Sequence, residues 1–141
     1  MMDLEELVKA NYVQKIQPAQ DLAEKEFHEA DYDLGRAETA FQEKDYKWTI
    51  VKAYYAVFHS AKGIMFLMGF REKTHFAVGE FLDFLSKKGK LESRYVSDFR
   101  ACVGARQAAD YNYDYSETTA NDIFEIAEEF VERMKKLRKA V

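Results

Sequence analysis

The sequence predicts an all-α protein, an antiparallel up-and-down bundle of five to six helices forming a single domain over residues 1–141. Three observations carry that prediction. One proline and 6 glycines in 141 residues leave little turn chemistry. Apolar residues recur at spacings near three and four along long windows. The connections between those windows are short, which favours antiparallel neighbours.

The elements follow in order. A leading helix is expected from Asp3 to Lys15, with Leu4, Leu7, Val8 and Tyr12 on one side, ending before Pro18, whose ring cannot continue a helix. The segment 1–17 is expected to pack loosely. From Ala19 to Lys44, the residues Leu22, Ala23, Phe27, Ala30, Leu34, Ala37 and Phe41 describe a long amphipathic helix. Gly35 inside it costs roughly 1 kcal/mol relative to Ala, and is read as a close helix crossing or a small kink. Asp45 is a good N-cap for a third helix, Tyr46 to Gly69, which is apolar almost all round and so should lie at the centre. Its long polar side chains after the first turn, Lys52, His59 and Lys62, share one narrow stripe that faces solvent or a cavity.

Thr74 can cap a fourth helix holding Phe76, Val78, Phe81, Leu82 and Leu85, which closes at Lys87-Lys88-Gly89 with glycine in the left-handed position. Ser93 opens a fifth helix, with Tyr95, Val96, Phe99, Cys102 and Val103 inward, that runs to Asp110. The last helix, Thr118 to Lys139, turns Ile123, Phe124, Ala127, Phe130, Val131, Met134 and Leu137 to the core. Glu129 with Arg133 and Glu132 with Lys136 are i,i+4 pairs in the favourable order, worth a few tenths of a kcal/mol each, on the order of 0.3.

Composition narrows the function. With 9 Tyr and 11 Phe the core should be rich in rings. Cys102 has no partner for a disulfide within the chain and sits among apolar neighbours, which marks a buried, unreactive thiol and a cytoplasmic setting. The amino terminus is acidic rather than charged-then-apolar. The longest apolar tract, Ile50 to Phe70, is broken by Lys52, His59 and Lys62, so neither a signal nor a membrane span is expected. A net charge of -4 repels polyanions, so any nucleic-acid contact must come from a local basic site. His28, His59 and His75 lie far apart without metal-ligand spacing. Asp110-x-Asn112-x-Asp114 copies the start of a calcium loop, but Tyr115 replaces its glycine and Asn121 its closing glutamate. No phosphate-cradling glycine motif or hydrolase elbow occurs, and no metal or cofactor is expected.

One stretch stands apart from this scaffold: Arg106-Gln-Ala-Ala-Asp110-Tyr111-Asn112-Tyr113-Asp114-Tyr115. Extending the inward series Tyr95, Phe99, Cys102 by four lands on Arg106, where the period calls for an apolar side chain. An intrahelical pair with Asp110 is one explanation. The other is a guanidinium fork aimed at a phosphate or carboxylate. Tyr113, seven residues on, would return to the face of Arg106 if the helix continued, whereas Tyr111 would lie off it. The ligand-binding set is therefore Arg106, Asp110 and Tyr113. Edge packing or a protein contact is the alternative role for Tyr111, Tyr113 and Tyr115.

The Asp45-Tyr-Lys-Trp48 helix start, the Ala53-Tyr-Tyr-Ala-Val-Phe-His-Ser-Ala61 run, the Thr74-His75 start and Arg106-x4-Tyr111-x-Tyr113 together resemble HEPN-domain proteins over Ala19 to Leu137. The resemblance implies a helical bundle that forms homodimers. Many such proteins are encoded with a small nucleotidyltransferase partner as toxin and antitoxin. In members that cut RNA without metal, an Arg-x4-6-His motif from each protomer meets at the dimer interface. Carried over, it makes Arg106 and Tyr111 the catalytic candidates, with Arg106 stabilising transition-state charge. Tyr111 stands where histidine is expected. A tyrosine pKa near 10 lies about 3 units above pH 7, a deficit of roughly 4 kcal/mol for the ionised base. Tyr113 occupies the position at which some partner nucleotidyltransferases modify a tyrosine. The resemblance thus points to a dimer with a degenerate RNase motif that binds a nucleotide, another phosphate ligand or a nucleotidyltransferase. A metal-independent RNase toxin and a non-enzymatic helical interaction protein are the alternatives.

Overall fold

The computed structural model describes residues 3–141; Met1 and Met2 of the leading segment lie outside them. Six helices and a two-stranded sheet follow in the order α1 (Leu4–Lys9), β1 (Val13–Lys15), α2 (Gln20–Gln42), α3 (Tyr46–Met68), β2 (Phe70–Glu72), α4 (His75–Lys87), α5 (Ser93–Tyr111) and α6 (Glu117–Arg138). The all-α bundle is as the periodicity predicts, and three of the five longer helices begin directly after an Asp, Thr or Ser that caps them.

The leading helix is shorter than expected. Asp3 caps it by accepting from the Glu6 N–H at 2.9 Å, but it stops at Lys9, and Asn11 takes a left-handed φ of 66°. The chain then pairs as β1 with β2, Val13 opposite Glu72 and Lys15 opposite Phe70. Leu7 and Val13 are both buried. Gly69 makes this latch possible. It ends α3 at a φ of 85°, and a β-carbon there would stand 2.9 Å from the Ile16 carbonyl oxygen.

α2 and α3 form an antiparallel hairpin in which Glu26 meets Lys62 and Asp33 meets Lys52. Gly35 marks neither a crossing nor a contact: nothing lies within 4 Å of where its β-carbon would be. The close approach is instead at Gly63 of α3, where an added β-carbon would stand 2.5 Å from the Phe27 ring. α3 is the central helix, packed by α2, α4, α5, α6 and β2. Tyr54, Ile50, Ile64 and Met65 are fully buried, along with Phe81 and Leu82 of α4, Phe99 of α5 and Phe130 and Met134 of α6.

α4 opens on Thr74, which accepts from Ala77 N–H at 3.0 Å, and Gly89 takes the predicted left-handed turn at φ 75°. Of the i,i+4 pairs expected along α6, Glu132 with Lys136 forms no ion pair among the described residues, and Glu129 with Arg133 gives way to bridges to the α5 side. Arg133 reaches Glu92 at 2.9 Å and Glu129 pairs with Arg94 at 3.3 Å. A fork between helices satisfies more of a guanidinium's donors than a carboxylate one turn away. Among the described residues, no helix is long and apolar enough to cross a membrane.

Candidate functional site

The carboxyl half of α5 lies on α3, and small side chains decide how closely. The buried position there is Ala109, which packs with Ile50 and Ala120, while Ala105 is partly buried beside it. The apolar series therefore passes from Cys102 to Ala105 and Ala109, and Arg106 stands at its border rather than in it. Its side chain is 24% exposed. The guanidinium carbon lies 5.5 Å from the Tyr54 ring centre and 5.9 Å from that of Tyr55, so the cation rests against two α3 rings.

Asp110 provides the charge partner. Its Oδ2 is 2.9 Å from Arg106 Nε, but the N–H does not point at it, which leaves a buried donor in an ion pair without a formed hydrogen bond. No other carboxylate or acceptor engages the guanidinium among the described residues. Most of its N–H fork is therefore free to meet an anion.

The tyrosines of the motif are elsewhere. α5 ends at Tyr111, and Tyr113 takes a left-handed φ of 54°, so the helical path that would have returned Tyr113 to the Arg106 face is broken. Tyr111 is 71% exposed and Tyr113 75%. Lys47 lies over the Tyr113 ring at 5.9 Å, which places that ring beside the start of α3. Of the residues named from sequence, the fold brings Arg106 and Asp110 together and leaves Tyr111 and Tyr113 on the surface.

It adds residues that periodicity reads as ordinary. His75, the first residue of α4, stacks on Phe58 with ring centres 4.3 Å apart, and its Nδ1 lies 2.5 Å from the Tyr54 hydroxyl. Burial, opposed only in part by the Arg106 charge, pushes the Tyr54 hydroxyl far above its ordinary range. Burial and the same guanidinium hold His75 below the usual histidine value. Tyr54 thus joins Arg106 on one helix to His75 on another. A cleft of about 230 Å³ beside them is lined by His75, Phe76, Gly79, Phe99, Arg100, Val103 and Gln107.

His59 has a different setting. The α3 stripe Lys52, His59 and Lys62 faces the carboxylates of α2: His59 Nδ1 is 2.5 Å from Glu26 and its Nε2 3.7 Å from Asp33, which is 5% exposed. Burial raises the Glu26 carboxyl, but the His59 hydrogen bond and the Lys62 charge outweigh it and the group sits below its ordinary value. For Asp33, burial outweighs Lys52 and His59 and the carboxyl is pushed up.

A model of the HEPN domain matches residues 23–137, which takes in α3, α4, α5 and every residue of this site. The chain belongs to the HEPN family. A relative within reach of sequence comparison is "Putative toxin MJ0605" of Methanocaldococcus jannaschii, 32% identical over 114 residues that cover 79% of this chain and 85% of that protein. The HEPN match begins within α2, so α1 and the β1 latch lie ahead of the shared domain. In this HEPN chain, Arg106 is buttressed by aromatic rings while Tyr111 ends its helix on the surface.

Proposed function

We propose that this HEPN protein acts as a homodimer whose Arg106 site binds a phosphate-bearing ligand, a nucleotide or RNA, within a toxin-antitoxin pair. The observation that carries the reading is the state of Arg106. An arginine whose side chain is three-quarters buried, set against Tyr54 and Tyr55 and joined to Asp110 by a misaligned pair, keeps donors in reserve for an anion. A scaffold arginine would spend them, as Arg133 does on Glu92 and on the Lys90 carbonyl.

The RNase motif is degenerate in this reading, because an exposed tyrosine is a poor general base. Tyr113 is accessible to a modifying enzyme, which suits a nucleotidyltransferase partner acting on its hydroxyl. The name of the M. jannaschii relative supports a toxin setting. It also keeps a second reading in view, a metal-independent RNase toxin, which gains from the nearness of His75 to Arg106 through Tyr54.

Calorimetric titration with inorganic phosphate and with adenosine monophosphate tests the site. Wild type should bind and Arg106→Ala should lose at least tenfold in affinity, since a hydrogen bond to a charged group is worth about 1.5–3 kcal/mol. Equal titrations for the two proteins would refute it. Labelled single-stranded RNA incubated with chelator separates the readings: little cleavage fits the degenerate motif, and cleavage abolished by Arg106→Ala fits the RNase toxin. Light scattering should give twice the 16.5 kDa chain mass.

A further inference from the structure

We propose that His75 is a second anion-binding residue of the Arg106 site, held by Tyr54 as the neutral tautomer that presents Nε2–H to a phosphate oxygen. The inference rests on the reading of Arg106 as a phosphate site and adds to it a residue from a different helix, outside the Arg106-to-Tyr113 motif.

Hydrogen-bond accounting fixes the tautomer. The Tyr54 side chain is buried, and its hydroxyl has one partner among the described residues, His75 Nδ1 at 2.5 Å. If Nδ1 carried the proton and donated, the tyrosine O–H would be a buried donor with nowhere to point, a costly arrangement. If Tyr54 donates, both groups are satisfied and the imidazole proton resides on Nε2. Partial burial against the Phe58 ring, and then the nearby Arg106 cation, favour the neutral ring over imidazolium. A neutral imidazole held in this way is a fixed donor rather than a base.

Tyr54 is the contact that His75 and Arg106 share. The His75 ring centre and the Arg106 guanidinium carbon each lie within about 6 Å of the Tyr54 ring centre, at 6.0 and 5.5 Å. The imidazole is clamped by Phe58 at 4.3 Å, so little rotational freedom is lost when a ligand binds. His75 is exposed and lines the 230 Å³ cleft together with Gln107, the chain neighbour of Arg106. His59 offers no such edge, since Glu26 and Asp33 face both of its nitrogens.

The test uses the full chain and inorganic phosphate as probe. Long-range proton–nitrogen NMR should show His75 protonated on Nε2 at pH 7.5, with the Nε2 resonance moving on phosphate addition. His75→Ala should weaken phosphate binding about tenfold, whereas His75→Gln, which restores an N–H near the Nε2 position, should stay within about threefold of wild type, since a neutral donor replaces a neutral donor. Tyr54→Phe keeps the ring and removes the anchor, so it should lose the tautomer preference and weaken binding while retaining the helical circular dichroism. An Nδ1–H tautomer, or a folded His75→Ala protein that binds phosphate like wild type, overturns the proposal. If His75→Ala loses binding and Arg106→Ala does not, the role of His75 stands and the Arg106 reading fails; the reverse pattern retains Arg106 and removes His75. A wild type that does not bind phosphate removes both.

Discussion

Two glycines inside long helices give opposite predictions for the same substitution. Gly35 lies in the interior of α2 and has nothing within 4 Å of its would-be β-carbon. Gly35→Ala should therefore collect the helix-propensity difference, about 0.8–1 kcal/mol of stabilisation. At Gly63 the same methyl would meet Phe27 ring atoms at 2.5, 2.8 and 3.1 Å, where carbon pairs prefer about 3.5–4.0 Å. The ring must retreat by roughly 1 Å to restore that separation. Phe27 is buried and covered by the Arg138 guanidinium at 4.6 Å, so it has little room to move. Overpacking of this kind costs about 1–3 kcal/mol; less the propensity gain, Gly63→Ala should destabilise by about 1 kcal/mol. In thermal melts followed by circular dichroism the two variants should move Tm in opposite directions, each by roughly 3–4 °C for a chain of this size. The mechanism is specific to one ring. In a Phe27→Ala background Gly63→Ala should turn stabilising, and a loss that persists there would refute the clash as its cause.

Further predictions concern the charged stripe and the thiol. Glu26 has a folded value below its unfolded 4.5, so its stabilisation is complete above that value and is lost as pH falls through the folded one. Asp33 is raised above its unfolded 3.8, so its contribution has the opposite sign, present at low pH and lost as pH rises through the folded value. In urea titrations, Glu26→Gln should therefore destabilise by about 1–2 kcal/mol at pH 7, with the difference shrinking toward pH 3. Asp33→Asn should do less harm at pH 7 than Glu26→Gln and leave the protein more acid-sensitive; the reverse order would refute the assigned signs. Cys102 is fully buried and burial pushes its thiol up to about 12, so an aromatic disulfide reagent should leave it untouched in native protein and titrate one thiol in denaturant.

The helices were legible because most carry a periodic apolar face or a continuous apolar run and most carry a side-chain cap, all of which are local. The β1 latch was not. Residues 13–15 are too few to show an alternation, and their strand conformation depends on pairing with residues almost sixty positions later. Gly35 and Gly63 look alike in sequence, and only the packing of α2 on α3 tells a free face from a crossing. The α6 pairs failed for a related reason: spacing offers Arg133 a carboxylate one turn away, while the fold offers Glu92 with better geometry. At the site, Arg106 and Asp110 could be found because they are four apart on one helix. His75 enters the site through a hydrogen bond to Tyr54, 21 residues earlier, and no local pattern encodes that. Tyr113 would share the Arg106 face only on a continued helix, and the chain leaves the helix at Tyr111 and turns left-handed at Tyr113, which spacing alone does not show.

Asp110 raises a question that the distances frame. A carboxylate 2.9 Å from Arg106 Nε competes with an incoming phosphate, yet the pair lacks an aligned hydrogen bond and both side chains are 24% exposed. An i,i+4 pair on an exposed helix face is worth about 0.3–0.5 kcal/mol; this one is more buried but lacks an aligned hydrogen bond, so a ligand that supplies one replaces what it displaces. The repulsion between the carboxylate and a nearby anion is larger: a unit charge at about 5 Å gives roughly 1 kcal/mol in a near-aqueous setting and several times that in a drier one. Asp110→Asn should then tighten inorganic phosphate about fivefold, taking the lower figure because the site is partly solvated. A nucleotide discriminates further. If Asp110 accepts a hydrogen bond from a ribose hydroxyl or a base, adenosine monophosphate should gain less than inorganic phosphate from the substitution, or lose. Equal gains for both would make Asp110 only the orienting partner of Arg106, and weaker binding of both would mean that the ion pair, despite its poor alignment, is what holds the guanidinium in place.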